Sequence, residues 1–235
     1  MDESGVSLLV EVVRWFGDPA HYRGSDAVQT RIVEHLQLSA LPVMIALVIA
    51  LPVGLYLGHT GRFAFLAVSV ANIGRALPSL ALLALALIPV LSLGLGLGFW
   101  PTVVGLVPLG IPPILTNAYV AIRNVDRDVV EAARGMGLGE MQILRRIELP
   151  LGLPLALAGI RTATVNVVAT ATLGAIVASG GLGRYIVDGF ALQEYDRLFA
   201  GAVLVALLAI LVEALIARLE HASAPPGIRP SEAAL

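Results

Sequence analysis

Not one residue between Arg75 and Arg123 carries a charge. A stretch of that kind has no polar face to offer water, and a soluble domain ordinarily draws about 25% of its residues from the charged set. Over the whole chain the charged share is 14% and the hydrophobic share 57%, with a mean hydropathy of +0.87. This balance describes an integral membrane protein. The net charge of −2 argues against a nucleic-acid partner. There is no Cys, which excludes disulfides, Cys-ligated metals and a lipidated Cys. There is no Lys either; all 15 basic residues are Arg. A Walker A loop needs Gly-Lys-Ser/Thr, so this chain cannot carry one, and any ATP that drives it must sit on another polypeptide.

A helix that crosses the hydrocarbon needs about 20 residues at about 1.5 Å each. On that length the sequence reads as an all-α, polytopic transmembrane bundle of about five spans. The spans fall at Leu38–Leu57, Phe63–Leu85, Trp100–Ala121, Leu153–Ala178 and Phe199–Ala217. The turn between the second and third falls in Ser92–Gly98, where Gly alternates with Leu, since each Gly weakens a helix by about 1 kcal/mol. Residues 1–34 read as an extracytoplasmic or interfacial segment; Val6–Phe16 is apolar on one side but too short to span. They lack the basic head, apolar core and cleavage site of a secretory signal. Residues 35–220 form the membrane domain, and 221–235 a Pro-rich, disordered tail.

Amid this apolar sequence, Glu131-Ala-Ala-Arg-Gly-Met-Gly137 through Ile147-Glu-Leu-Pro150 is dense in charge. Asp128 and Glu131 stand three apart, as in a capping box at a helix start. Ala132 and Ala133 keep one face thin, so that another surface can come close. Gly137 and Gly139 suit a corner. Met141, Ile143, Leu144 and Ile147 give an apolar stripe, and Pro150 suits the first turn of the next helix. The segment therefore reads as a helix–corner–helix hairpin at a membrane face, a docking site for something in water. Arg123, Arg127, Arg134, Arg145 and Arg146 cluster there, with Arg62 and Arg218 on the same side. The positive-inside rule thus favours a cytoplasmic hairpin and C-terminus, and an outside N-terminus.

The spacing Glu-Ala-Ala, three residues, Gly, nine residues, Ile-x-Leu-Pro resembles the signature loop of permeases of the binding-protein-dependent ABC importers. The resemblance covers about residues 35–220. It implies a type I importer permease in the cell (inner or plasma) membrane. It also implies that Glu131, Ala132, Ala133, Gly137, Ile147, Leu149 and Pro150 form the coupling helix region, which fits a cleft on a separate ATPase that holds ATP and Mg. Further implied partners are a second permease subunit, identical or paralogous, and an extracytoplasmic solute-binding protein. The segments Arg75-Ala-Leu-Pro-Ser-Leu-Ala-Leu-Leu83 and Gly180-Gly-Leu-Gly-Arg-Tyr-Ile186 look like the osmoprotectant permeases (glycine betaine, carnitine, choline). Methionine or other amino-acid permeases are the alternative, since methionine permeases share an Asn-x-x-Arg-x-x-Pro pattern.

Asn72, Arg75 and Ser79 share one helix face. An Arg at mid-depth costs about 3 kcal/mol on insertion scales, so this face reads as pathway or subunit-interface lining, with an Arg that snorkels to the headgroups as the alternative. Gly180, Gly181 and Gly183 read either as the outer gate that the resemblance implies or as an ordinary interfacial loop. The four His are scattered at span edges and read as interfacial, with no metal-ligand spacing. No catalytic constellation is present. An ATP-independent carrier or channel is the weaker alternative, since carriers usually bury an acid at mid-span and none lies there.

Overall fold

The computed structural model describes residues 3–62 and 76–223, together with 65, 69, 70 and 74. Asn72 and Arg75 lie outside the described residues, as do several other residues of the first half of the span read from Phe63 and the tail from residue 224.

All regular secondary structure among the described residues is helical, without strands. Helix α1 runs Glu3–Gly17, α2 Val28–Thr60, α3 Ser79–Ser92 and α4 Phe99–Arg123. The hairpin consists of α5, Arg127–Gly135, and the four-residue α6, Glu140–Ile143. A π-helical turn at Leu144–Glu148 leads into α7, Leu149–Thr170, which tightens to a 3₁₀ turn at Ala171–Val177. Helices α8, Gly183–Leu192, and α9, Tyr195–Ser223, complete the order.

Among the described residues, four helical stretches are long and apolar enough to cross a membrane: Val28–Thr60, Phe99–Arg123, Glu140–Val177 and Tyr195–Glu220. These correspond to four of the five spans read from sequence. The fifth, Phe63–Leu85, has a different end. The helix α3 at its end is 14 residues long, starts after Pro78 and runs on to Ser92. Pro78 lacks an N–H and sits where a helix begins without needing one. The helix then ends in a Schellman closure, with the Leu95 amide bonded to the Val90 carbonyl and the Gly94 amide to Leu91. Gly94, at φ +71°, supplies the left-handed residue that this closure requires. At the other end of the chain α9 continues to Ser223, so residues 221–223, read as tail, are helical.

The chain forms two compact units. One comprises Met1–Met44, Leu77–Leu109 and Thr164–Val212; the other comprises Ile45–Ala76, Gly110–Ala163 and Glu213–Leu235. In the first, Trp15 of α1 is buried with Val28, Val168, Leu182, Tyr185 and Ala200. The Tyr185 hydroxyl donates to the Asp26 carbonyl, and the Arg197 guanidinium lies 5.7 Å from the Tyr185 ring centroid. Val12 and Phe16 also pack on this core, while Leu9, Val10 and Val13 of α1 are exposed.

In the second unit, Ala46, Ala50 and Leu57 of α2 pack on Ile114 and Leu115 of α4 and Ala163 of α7. Lipid tails are as apolar as Leu, so helices in a membrane adhere by close contact rather than by flight from water. Glycines make that contact here. A methyl group at Gly54 would lie 2.6 Å from the Leu115 carbonyl oxygen, and one at Gly58 would lie 2.7 Å from Ile122 Cβ. On the other flank of α4, methyls at Gly152 and Gly159 would meet the Ala121 carbonyl oxygen at 2.7 Å and the Asn117 side chain at 2.5 Å. The C-terminal part of α4 is thus clasped by α2 and α7.

Candidate functional site

The hairpin starts at Asp126, whose carboxylate accepts the Asp128 amide at 2.9 Å and caps α5. The sequence had suggested a box between Asp128 and Glu131; the cap lies two residues earlier, where the chain is still extended and a side-chain oxygen can turn back on the first free amide. Helix α5 closes in a second Schellman turn, Leu138 amide to Ala133 carbonyl and Gly137 amide to Arg134, with Gly137 at φ +86°. The corner thus falls where two glycines were read as a corner. Gly139 caps α6, its amide donating to the Gln142 side chain at 3.0 Å. Across the corner Arg134 forks onto Glu140, Nε at 2.8 Å and Nη2 at 3.0 Å. Glu140 raises the Arg134 guanidinium above its usual value, chiefly through that hydrogen bond.

Val125, Val130, Ala133 and Ile143 form a small core inside the hairpin, with Leu138 and Ile147 packed against it. Ala133 is therefore buried, whereas Ala132 is exposed beside Glu131 and Gly137. The thin face read from both alanines is carried by Ala132 alone. A helix turns about 100° per residue, so Ala132 and Ala133 cannot share one surface. Ile143 likewise faces inward, while Met141 is exposed. Met136, 74% exposed, and Val129, 43% exposed, add apolar area to the face of Glu131 and Ala132. The hairpin thus has its own core and presents apolar and charged side chains outward.

Ile147, Leu149 and Pro150 are half-buried where the hairpin joins α7. Pro150 falls in the first turn of α7, as the sequence suggested, but the chain ahead of it does not break. The helix widens instead, with the Leu149 amide bonding back to Leu144. The proline ring has no amide for the Arg146 carbonyl and would crowd it in a regular helix; a π turn makes room.

Sequence reasoning missed what lies beside this joint. Glu148 is 1% exposed, and its Oε2 is bonded to Nδ1 of His59 at the end of α2. The His59 Nε2 lies 3.3 Å from Glu140 Oε2. The partners are 89 positions apart, and neither periodicity nor motif spacing signals such a pair. His59 is thus engaged in a buried contact rather than free at an interface. His35 departs from the interfacial reading as well: it is fully buried, with Nε2 bonded to the Val168 carbonyl at 2.9 Å. Arg161, on α7, reaches Glu220 at 3.6 Å. Among the described residues no set of His, Asp and Glu is arranged to hold a metal ion.

The gate candidates lie in the other unit. Gly181, at φ +82°, donates its amide to Glu34 Oε2 at 2.8 Å, and its Cα side rests on the His35 ring. Gly180 lies against the Glu34 carboxylate and Gly183 against the Thr172 backbone. Arg31 holds Glu34 at 2.8 Å and Asp26 at 2.7 Å. These glycines are packing residues in a turn that side chains of α2 clamp. Ser79 is half-buried at the first position of α3. The structure therefore brings the hairpin residues together in one unit and the three gate glycines together in the other.

Residues 31–223 match the family model described as binding-protein-dependent transport system inner membrane component. The chain is 36% identical over 196 residues to the glycine betaine/carnitine/choline transport system permease protein OpuCB of Bacillus subtilis, which covers 83% of this chain and 88% of that protein. It is 40% identical over 192 residues to the carnitine transport permease protein OpuCD of Listeria monocytogenes, covering 81% and 84%. It is 34% identical over 215 residues to the osmoprotectant import permease protein OsmW of Salmonella typhimurium, covering 90% and 100%. Among solved structures, a chain of the inward-facing methionine ABC transporter MetNI superposes with a TM-score of 0.70 at 26% identity, over 96% of this chain and 100% of that one. With its membrane-length helices, its charged hairpin and these relatives, the chain belongs to the family of binding-protein-dependent transport system inner membrane components.

Proposed function

We propose that this chain is the permease subunit of an ATP-driven importer for a compatible solute of the glycine betaine, carnitine or choline type. The observation that carries the mechanism is the hairpin: a self-cored element with Glu131, Ala132 and Gly137 exposed, set between two membrane-length helices. In this reading the hairpin and the C-terminus face the cytoplasm, a choice supported by the Arg clustered there. A separate ATPase subunit holds ATP and Mg and grips the hairpin. Two permease subunits enclose the pathway, and a solute-binding protein delivers cargo to the outer face. Nucleotide-driven closure of the ATPase pair moves the hairpin, and the bundle alternates between inward and outward access. Asn72, Arg75 and Ser79 line the pathway or the subunit interface, and the turn at Gly180, Gly181 and Gly183 belongs to the outer gate.

The osmoprotectant reading is supported by relatives at 34–40% identity that carry such names. Likeness to MetNI supports the architecture. The test is reconstitution of this chain with its ATPase and binding protein in proteoliposomes. Labelled glycine betaine should accumulate only with ATP inside and binding protein outside, and Glu131→Arg or Gly137→Asp should insert normally yet abolish uptake. ATP-independent uptake by the chain alone would instead favour a carrier.

A further inference from the structure

The hairpin is continuous in chain with two helices, α4 before it and α7 after it. Helix α2 has no such joint, yet a line of polar contacts ties it in. Arg134 on α5 holds Glu140 on α6, Glu140 faces His59 at the end of α2, and His59 bonds Glu148 in the π turn. Both imidazole nitrogens face carboxylate oxygens, at 3.3 Å on the Glu140 side. Glu148 is 1% exposed. A carboxyl group at such a depth is held firmly to its one hydrogen-bond partner, because separating them leaves polar atoms unpaired away from water. Just before His59, Gly54 and Gly58 press α2 onto Leu115, Tyr119 and Ile122 of α4 with no room for a methyl group. Dry contact on one side and a buried hydrogen bond on the other leave the end of α2 little freedom to move apart from the hairpin.

We propose that His59 and Glu148 are positioning residues that yoke α2 to the coupling hairpin, so that α2 travels with it through the ATP cycle. This rests on the coupling role proposed above. The ATPase grips the exposed face, and α4 and α7 receive the motion through the chain. Helix α2 receives it through this buried pair. Glu140 and Arg134 carry the connection out to the exposed end of α5, next to the surface a partner would hold.

The absence of Cys permits a clean label pair. Spin labels on Cys introduced at the exposed positions Val53 of α2 and Met141 of α6 report the spacing between helix and hairpin by pulsed electron spin resonance. The labelled chain is diluted with unlabelled chain and assembled with its ATPase and binding protein. The distance should be the same without nucleotide and with ATP–vanadate. In the double variant His59→Leu/Glu148→Leu, which strands no charge, the distance should broaden or shift between the two states. ATP hydrolysis should persist, and glycine betaine taken up per ATP should fall by about two- to thirtyfold, the span expected for disrupted coupling elements. A label distance in the native pair that changes with nucleotide overturns the yoke. So does a double variant that inserts as wild type and transports with an unchanged ratio; if it does not insert, the native label pair decides alone. Failure of the underlying coupling role reads differently: no ATPase would copurify with the unaltered chain, and the yoke would fall with it.

Discussion

Replacing His59 by Leu should damage the protein far more than replacing Glu148 by Leu. Glu148 is 1% exposed and its hydrogen bond goes to His59, whereas the His59 side chain is 13% exposed and has Glu140 as a second neighbour. Removing the imidazole strands a buried carboxylate, at a cost of about 3–5 kcal/mol. Removing the carboxylate leaves an imidazole that is partly exposed and still faces Glu140, so only the loss of one hydrogen bond remains, about 1–3 kcal/mol. Replacing both removes the stranded charge, and the double variant should recover at least about 2 kcal/mol against the sum of the two singles. The assay is unfolding of the purified chain in detergent by increasing SDS, followed by circular dichroism, with the four midpoints closing a cycle. Equal single costs that simply add would show that the pair is not a buried, charge-compensated joint.

Other consequences are simpler. Gly58→Leu forces a side chain into space held by Ile122 Cβ at 2.7 Å and the Tyr119 carbonyl at 2.8 Å, and should destabilise by about 1–3 kcal/mol in the same assay. Ala178 sits at φ +65° in the closure of the 3₁₀ turn, so Ala178→Gly should raise the midpoint by the equivalent of about 1 kcal/mol; a lower midpoint would contradict the strain. Asp126→Ala removes the cap of α5 and should cost about 1 kcal/mol, visible as faster amide exchange at Asp128. Burial, aided by the charge of Asp26, pushes the Tyr185 phenol up to about 12. The folded state keeps this proton more tightly than the unfolded chain does. The stabilisation it contributes is therefore whole below about pH 10 and is lost as the pH rises to about 12. In Tyr185→Phe that alkaline decline should be smaller.

Much of this architecture was legible because membrane helices announce themselves by length and by lack of charge. Leu38–Leu57, Trp100–Ala121 and Phe199–Ala217 all fall within observed helices. Their ends were less legible, because a helix stops where its caps and packing allow. Val28 begins α2 well before the first uniformly apolar residue, since the Arg31, Glu34 and His35 side chains find partners in protein. The hairpin corner at Gly137 was readable from residue type alone, because few other residues tolerate that backbone. The inward face of Ala133 was not, since Ala carries no sign of which way it points. Pairs such as His59 with Glu148, or Glu34 with Gly181, join residues far apart in the chain. Their meeting depends on how helices pack, and a single sequence holds no local trace of it.

The central claim is that the charged hairpin is the grip for an ATPase carried by another polypeptide. With no native Cys to interfere, Ala132→Cys places one thiol on the exposed face of α5. In membranes holding the assembled transporter, this thiol should cross-link to the ATPase subunit and resist a membrane-impermeant maleimide applied from outside intact cells. Labelling from outside, or a thiol that never captures a nucleotide-hydrolysing neighbour, would contradict the account.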